Sequence, residues 1–290
     1  MPDPRTGRGA LAEGRQRLEA GGIEDAVLEA EVLLRAAMGG EEPVSRAHLY
    51  QRLAEPLDVV SAGRFEAFLL RRLSHEPSAY ITGHREFYGL DFIVSPDVLI
   101  PRPETELLVD TAAKAISGVT RRQPAVADIG TGSGAIAVAL ATRVPSAVVY
   151  ATDASMAALA IARSNARRHG VESRIAFRHG DLLLPLDSRV DVIAANLPYV
   201  TTDDWRGLSP ELREHEPRLA LDGGQDGLDL VRALLRQAPR YLRAGGVVCL
   251  EFGVGQRDAI VEAARSAIPK ATTNVIDDFA GIPRVLVVQT

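Results

Sequence analysis

The chain is predicted to fold as an α/β protein. A mostly parallel sheet carries helices on both faces and closes with an antiparallel edge, and a small helical bundle precedes it. Three observations carry the prediction. From residue 105 onward, strand-like apolar runs alternate with amphipathic helical stretches, the pattern of βαβ units. The last two strand-like segments follow each other with no helix between them, which suits an antiparallel edge. Residues 11–75 show only helical periodicity.

Residues 1–10 are polar and contain Gly, Pro and Arg; they read as a flexible tail without the apolar core of a signal peptide. Residues 11–84 read as the bundle. Ala26, Val27, Ala30, Leu33, Leu34 and Ala37 recur at helical spacing, with Glu24, Glu29, Glu31 and Arg35 falling elsewhere. Val60, Phe65, Phe68, Leu69 and Leu73 mark a second amphipathic helix, and Gly21-Gly22, Gly39-Gly40 and Glu42-Pro43 punctuate the segment. Such stripes pack helices against each other. Residues 85–96 are β-rich around Gly89 and predict a hairpin linking the bundle to a large domain over 97–290. Within that domain, strands are expected over 126–129, 147–152, 174–178, 190–195 and 247–252, with closing strands near 273–276 and 284–288. Helices are expected over 135–143, 228–242 and 256–267.

The chemistry concentrates at strand ends, where open α/β sheets place their ligands. After the first of these strands comes Gly130-Thr131-Gly132-Ser133-Gly134, leading into a helix. Such a turn lets backbone approach a ligand and aims free helix N–H groups at it. Its G-x-G-x-G spacing is neither the dinucleotide fingerprint nor a Walker loop. The next strand ends in Asp153, about 20 residues past the glycines and placed to bind two ribose hydroxyls. The third leads to Gly180-Asp181-Leu182, where a carboxylate can accept from an adenine amino group. The fourth ends in Asn196-Leu197-Pro198-Tyr199. The Asn196 side-chain oxygen can accept one N–H of a planar amino group, and backbone carbonyls near Pro198 can accept the other. The Tyr199 ring can lie against the π system. Taken alone, this tetrapeptide is an ordinary turn; in this order, the segments describe a nucleoside-binding crevice with a nitrogen acceptor site at its mouth.

The same order resembles the class I S-adenosylmethionine-dependent methyltransferases that act on amide or amino nitrogen. Further segments resemble the release factor glutamine methyltransferases, the PrmC/HemK family. They are Gly83-His84-Arg85-Glu86-Phe87-Tyr88-Gly89, the stretch from Val98 to Glu106 with Pro101-Arg102-Pro103-Glu104-Thr105-Glu106, Glu216-Pro217-Arg218-Leu219-Ala220-Leu221, and Gly224-Gln225-Asp226-Gly227-Leu228-Asp229. The resemblance runs from about residue 77 to the C-terminus, and more loosely over the N-terminal helices. Leu197 stands where that family usually has a proline, and Asn-Leu-Pro-Tyr also resembles the rRNA adenine dimethyltransferases.

The resemblance implies a Rossmann-like class I methyltransferase sheet, S-adenosylmethionine as methyl donor, and no metal. It implies a class I peptide chain release factor as partner, methylated at the glutamine of its Gly-Gly-Gln loop, with the bundle holding part of that substrate. Cosubstrate contacts fall to Gly130, Thr131, Gly132, Ser133, Gly134, Asp153, Asp181, Leu182 and Asn196. Asn196, Pro198 and Tyr199 are the expected catalytic residues, and Asn196, Leu197, Pro198, Tyr199, Arg102 and Glu104 the expected substrate contacts. Phe87 and Tyr88 either cover the cosubstrate or pack a hairpin, and Glu251 ends a strand near the crevice.

Composition bounds the alternatives. At 46% hydrophobic the chain can bury real cores, yet it has no apolar stretch of membrane-spanning length. Its one cysteine, Cys249, lies in an apolar run and excludes an intrachain disulfide; together these signs favour the cytoplasm. Net charge is −5, so no nucleic-acid-binding surface is marked and no stable nucleic-acid complex is expected. The six histidines show no metal-ligand spacing. Ser133 lacks a nucleophile-elbow context. Glu104 and Glu106 form either a carboxylate pair or the acidic opening of a helix. The expected reaction is an in-line methyl displacement onto a glutamine nitrogen, in which positioning supplies roughly 7–11 kcal/mol. The alternatives are an N6-adenine methyltransferase on rRNA or DNA, a glutamine methyltransferase of a ribosomal protein, and a non-catalytic S-adenosylmethionine-binding module.

Overall fold

A computed structural model of the chain describes residues 6–40 and 42–290, which divide into two compact units. The first comprises residues through His84 together with Pro210–His215. It contains helices α1 (Gly7–Ala20), α2 (Ala26–Met38), α3 (Arg46–Gln51), α4 (Val59–Leu73) and α5 (Ser78–Thr82). Leu18, Leu33, Leu34, Leu49, Phe65 and Leu69 fill its core, so the helical stripes serve mutual packing. The flexible tail expected over 1–10 does not reach residue 10. Thr6 caps α1 by accepting a hydrogen bond from Gly9 N at 3.2 Å, and Gly7 N and Arg8 N donate to the carbonyls of Glu55 and Leu53. Residues 1–5 lie outside the described residues.

The second unit begins at Arg85, within a two-stranded hairpin of β1 (His84–Phe87) and β2 (Leu90–Ile93) whose turn residues Tyr88 and Gly89 both have positive φ. That is the backbone a two-residue hairpin turn requires. Phe87 and Phe92 pack edge-on at 6.0 Å in the main core, so Phe87 packs the hairpin rather than offering its ring to a ligand. There follow α6 (Glu106–Ser117), β3 (Ala125–Ile129), α7 (Ala135–Arg143), β4 (Val148–Asp153), α8 (Met156–Arg168), β5 (Ile175–His179) and β6 (Val190–Ala195). After β6 the chain forms α9 (Thr202–Gly207) and α10 (Pro210–His215), then α11 (Asp229–Tyr241), β7 (Leu242–Glu251), α12 (Arg257–Ala267), β8 (Thr272–Asp277) and β9 (Pro283–Gln289). Of these, α10 belongs to the helical unit, where Glu211 pairs at 2.9 Å with Arg72, which also holds Glu29 at 2.9 Å. No sequence pattern announces this excursion.

The seven strands of the large sheet run in the order β5-β4-β3-β6-β7-β9-β8. All pairs from β5 to β7 are parallel, and β9 is antiparallel to both β7 and β8. Apolar side chains of β3, β6 and β7 fill cores on both faces, which explains their continuous rather than alternating hydrophobicity. From β3 the chain winds outward to β5, then crosses back to place β6 on the other side of β3. The direction of winding therefore reverses between β3 and β6, and a crevice opens at such a point. No helix of the described residues is long and apolar enough to cross a membrane.

Candidate active site

Strand register brings the predicted residues to one edge of the sheet. Ile129 pairs with Thr152 on one side and Ala195 on the other, and Ala195 pairs with Leu250. The residues that follow, Asp153, Gly130, Asn196 and Glu251, therefore form a row across the carboxyl ends of four adjacent strands. Gly130 and Asn196 flank the reversal point.

The Gly-rich turn is fixed from beneath. Gly130 N and Thr131 N donate to the Thr152 carbonyl, both at 2.9 Å, and Gly132 N donates to Asp153 Oδ2 at 2.8 Å. Asp128 is fully buried below the turn and accepts from Thr131 Oγ1 at 2.6 Å and Ala137 N at 3.0 Å. Burial pushes its carboxyl up to about 7 against those two hydrogen bonds, and the nearby charge of Asp153 adds to the rise. Gly134, in a left-handed conformation, packs where a Cβ would fall 3.0 Å from that of Ala162, so α7 and α8 meet closely. Nothing lies within 4 Å of a Cβ built on Gly132, so the outer face of the turn is open.

The expected cosubstrate contacts separate into two groups. Asp153 spends one lone pair of each oxygen locally, on Gly132 N and on Ser155 N at 2.8 Å, and retains capacity to accept from hydroxyls. Asp181 is exposed at the end of β5. By contrast, Thr131 and Ser133 are buried, and Leu182 is buried with its carbonyl accepting from Thr152 Oγ1 at 2.9 Å. Those three side chains face inward, Thr131 and Ser133 from the turn and Leu182 from the core beside it. The Ser133 carbonyl accepts from Asn165 Nδ2 at 2.8 Å, and the same fully buried amide exchanges two bonds with the Ile93 backbone, at 2.7 and 2.9 Å. Asn165, which sequence reasoning overlooked, thus ties the hairpin to the Gly-rich turn.

Across the reversal point, Asn196 Nδ2 donates to Thr105 Oγ1 at 3.0 Å. Glu251 is 2% exposed, and its Oε2 is buried with no hydrogen-bond partner. Burial raises its carboxyl to about 7; hydrogen bonding by Thr105, the charge of Arg284 and hydrogen bonding by Asn196 oppose the rise, while Glu104 adds to it. Tyr199 is pushed up to about 12, first by burial and then by the charge of Glu251. Its phenol is therefore neutral at physiological pH.

Glycines from later in the chain support the Pro198–Tyr199 backbone. A Cβ on Gly223 would lie 2.4 Å from the Pro198 carbonyl oxygen, and one on Gly227 would lie 2.2 Å from that of Tyr199. Gln256 Nε2 donates to the Tyr199 carbonyl at 2.8 Å.

Leu197, Arg102 and Glu104, three of the expected substrate contacts, lie in different surroundings. Leu197 is 3% exposed and packs in the core with its Cδ2 against Gly130, so its side chain does not face a substrate. Burial there removes its apolar surface from water. Arg102 is engaged by the buried carboxylate of Glu216, which also accepts from Ile100 N at 3.3 Å. Glu104 is exposed, whereas Glu106 Oε1 accepts from Tyr88 N at 2.8 Å, so the two acids do not act as a pair. Tyr88 donates its hydroxyl to Asp110 at 2.7 Å and lies under the Arg143 guanidinium.

A Gly-rich turn and an asparagine on either side of the reversal, with the antiparallel pair closing the sheet, define a class I S-adenosylmethionine-dependent methyltransferase. Comparison with known proteins agrees. The family model described as the PrmC N-terminal domain matches residues 9–83, and that of the methyltransferase small domain matches residues 103–207. A release factor glutamine methyltransferase from Moorella thermoacetica is 45% identical over 96% of this chain and 96% of its own length. One from Geobacter sulfurreducens is 44% identical over 90% of this chain and 88% of its own length. The fold is also that of a Pyrococcus furiosus methyltransferase, at a TM-score of 0.51 and 20% identity, covering 70% of this chain and 89% of that one. The chain belongs to the release factor glutamine methyltransferase family.

Proposed function

We propose that the chain transfers a methyl group from S-adenosylmethionine to the side-chain amide nitrogen of the glutamine in the Gly-Gly-Gln loop of class I peptide chain release factors. The observation that carries this reading is the direction of the Asn196 amide. Its nitrogen is committed to Thr105, which turns Oδ1 away as the acceptor for a substrate N–H. The similar proteins named release factor glutamine methyltransferase support the choice of substrate.

The residues present fit a nucleoside cosubstrate. The open face at Gly132 admits it, Asp153 accepts from ribose hydroxyls, and Asp181 accepts from the adenine amino group. Bound there, it supplies an electrophilic methyl group on a positively charged sulfur. Asn196 accepts one hydrogen of the substrate amide, a backbone carbonyl at Pro198 accepts the other, and the Tyr199 ring stacks on the amide plane. Both hydrogens are then held while the nitrogen lone pair faces the methyl group, and the charge that develops on nitrogen meets acceptors already in place. The helical unit holds part of the release factor, and such a substrate places the reaction in the cytoplasm.

The test incubates the purified chain with methyl-labelled S-adenosylmethionine. Parallel reactions contain a class I release factor, its variant with the loop glutamine changed to alanine, and total rRNA. Label on the intact factor alone is the expected result. Label on RNA alone would replace the reading with adenine methylation, which the Asn-Leu-Pro-Tyr form of the turn favours.

A further inference from the structure

The carboxylate of Glu251 has no place in the reaction described above, yet it is enclosed beside the reacting groups. It ends β7 next to Asn196, because Ala195 and Leu250 are in register. It is 2% exposed, Thr105 is 5% exposed, and Glu251 Oε2 lacks a hydrogen-bond partner. Leaving a carboxyl oxygen so enclosed costs stability, which points to a role for the group beyond packing.

We propose that Glu251 is a positioning residue: acting with Thr105, its carboxylate fixes the Asn196 side chain with the amide nitrogen inward and the amide oxygen facing the substrate. This rests on Asn196 being the acceptor for the substrate amide.

The oxygen and nitrogen of an asparagine amide are nearly the same size, so packing alone does not choose between its two orientations. A carboxylate only accepts. A threonine hydroxyl that donates to it keeps only its lone pairs for Asn196 and can be met only by the amide nitrogen, as the 3.0 Å contact shows. The Asn196 amide also helps to hold the Glu251 carboxyl ionised. Once Glu251 takes up a proton, its O–H can donate to Thr105, and the threonine hydrogen is released toward Asn196. The reversed amide then becomes favourable and presents N–H where the substrate needs an acceptor.

The charged and titratable groups around Glu251 set where this happens. They are Glu104 ahead of α6, Arg284 on β9 and the Tyr199 phenol after β6. Burial outweighs the help of Arg284 and the polar neighbours, which puts the change of protonation near neutrality.

Single-turnover methyl transfer to a release factor, followed from about pH 5.5 to 9, tests the proposal. The wild-type rate is expected to fall on the acid side. Glu251→Gln should be slower by about 10–100-fold at neutral pH, should lose the acid limb, and should keep its S-adenosylmethionine affinity. Thr105→Val should reproduce that loss, and Thr105→Ser should recover most of it. The threonine pair decides the matter even if Glu251→Gln does not fold. A Glu251→Gln or Thr105→Val enzyme with the wild-type rate and acid limb overturns the proposal. A wild-type enzyme inert toward the release factor would instead sink the reading of the substrate.

Discussion

The side-chain nitrogen of Asn196 lies 3.0 Å from the hydroxyl oxygen of Thr105, a residue 91 positions earlier in the chain. That contact ties the end of β6 to the turn that opens α6. Replacing Asn196 with Ala removes the acceptor and leaves the Gly-rich turn intact. Turnover should fall by about 10²–10³, as for loss of one fixed polar group in a transition-state site. Calorimetric affinity for S-adenosylmethionine should change little. Normal turnover would end the assignment of Asn196.

Asp153 stands at the end of β4, holding Gly132 N at 2.8 Å while retaining acceptor capacity. Asp153→Ala should weaken S-adenosylmethionine binding by about 10–100-fold, the worth of hydrogen bonds to a charged group. Unchanged affinity by titration calorimetry would remove its ribose role.

Gly223 shows how closely the Pro198–Tyr199 backbone is braced. An added Cβ would lie 2.4 Å from the Pro198 carbonyl oxygen and 2.7 Å from that of Gly227. Gly223→Ala must shift backbone rather than a side-chain tip. It should cost about 1–3 kcal/mol of stability, measurable by urea denaturation, and lower kcat more than cosubstrate affinity. Wild-type kcat in the variant would mean that the loop can move without disturbing Pro198 and Tyr199.

Asp128 makes stability depend on pH in a definite direction. Its carboxyl is raised from 3.8 to about 7 in the folded state, so folding retains a proton that the unfolded chain releases. The penalty is absent below the unfolded value, grows as pH rises through this window, and is full above about 7. Asp128→Asn removes that penalty. Its stability relative to wild type should therefore improve from acid to neutral pH, as read from urea midpoints at each pH. A constant difference would show that folding leaves the Asp128 carboxyl unshifted.

In the helical unit, Arg72 is 5% exposed and pairs with both Glu29 and Glu211 at 2.9 Å. Arg72→Ala should destabilise that unit by about 1–3 kcal/mol, because two partly exposed carboxylates lose their shared partner. Proteolysis of the helical segment should become faster. An unchanged cleavage rate would rule the cluster out as its main polar support.

Much of this was legible in the sequence because it is local. Helical and strand periodicities set the order of elements, and the strands expected over 126–129 and 190–195 lie within or coincide with β3 and β6. Gly130 and Asn196 each follow a strand and Asp153 ends one, so their place at a carboxyl end needs only the strand boundaries and the parallel direction. What only the tertiary structure decided is non-local. Strand register set Glu251 beside Asn196, and the turn before α6 delivered Thr105 to the same point. Core space drew Leu197 inward against Gly130, buried Glu216 captured Arg102, and the 210–215 segment joined the helical unit. Periodicity records which face of an element avoids water. It does not record which distant polar group a buried side chain must meet to offset its lost hydration, and in this chain those meetings set the orientation of Asn196.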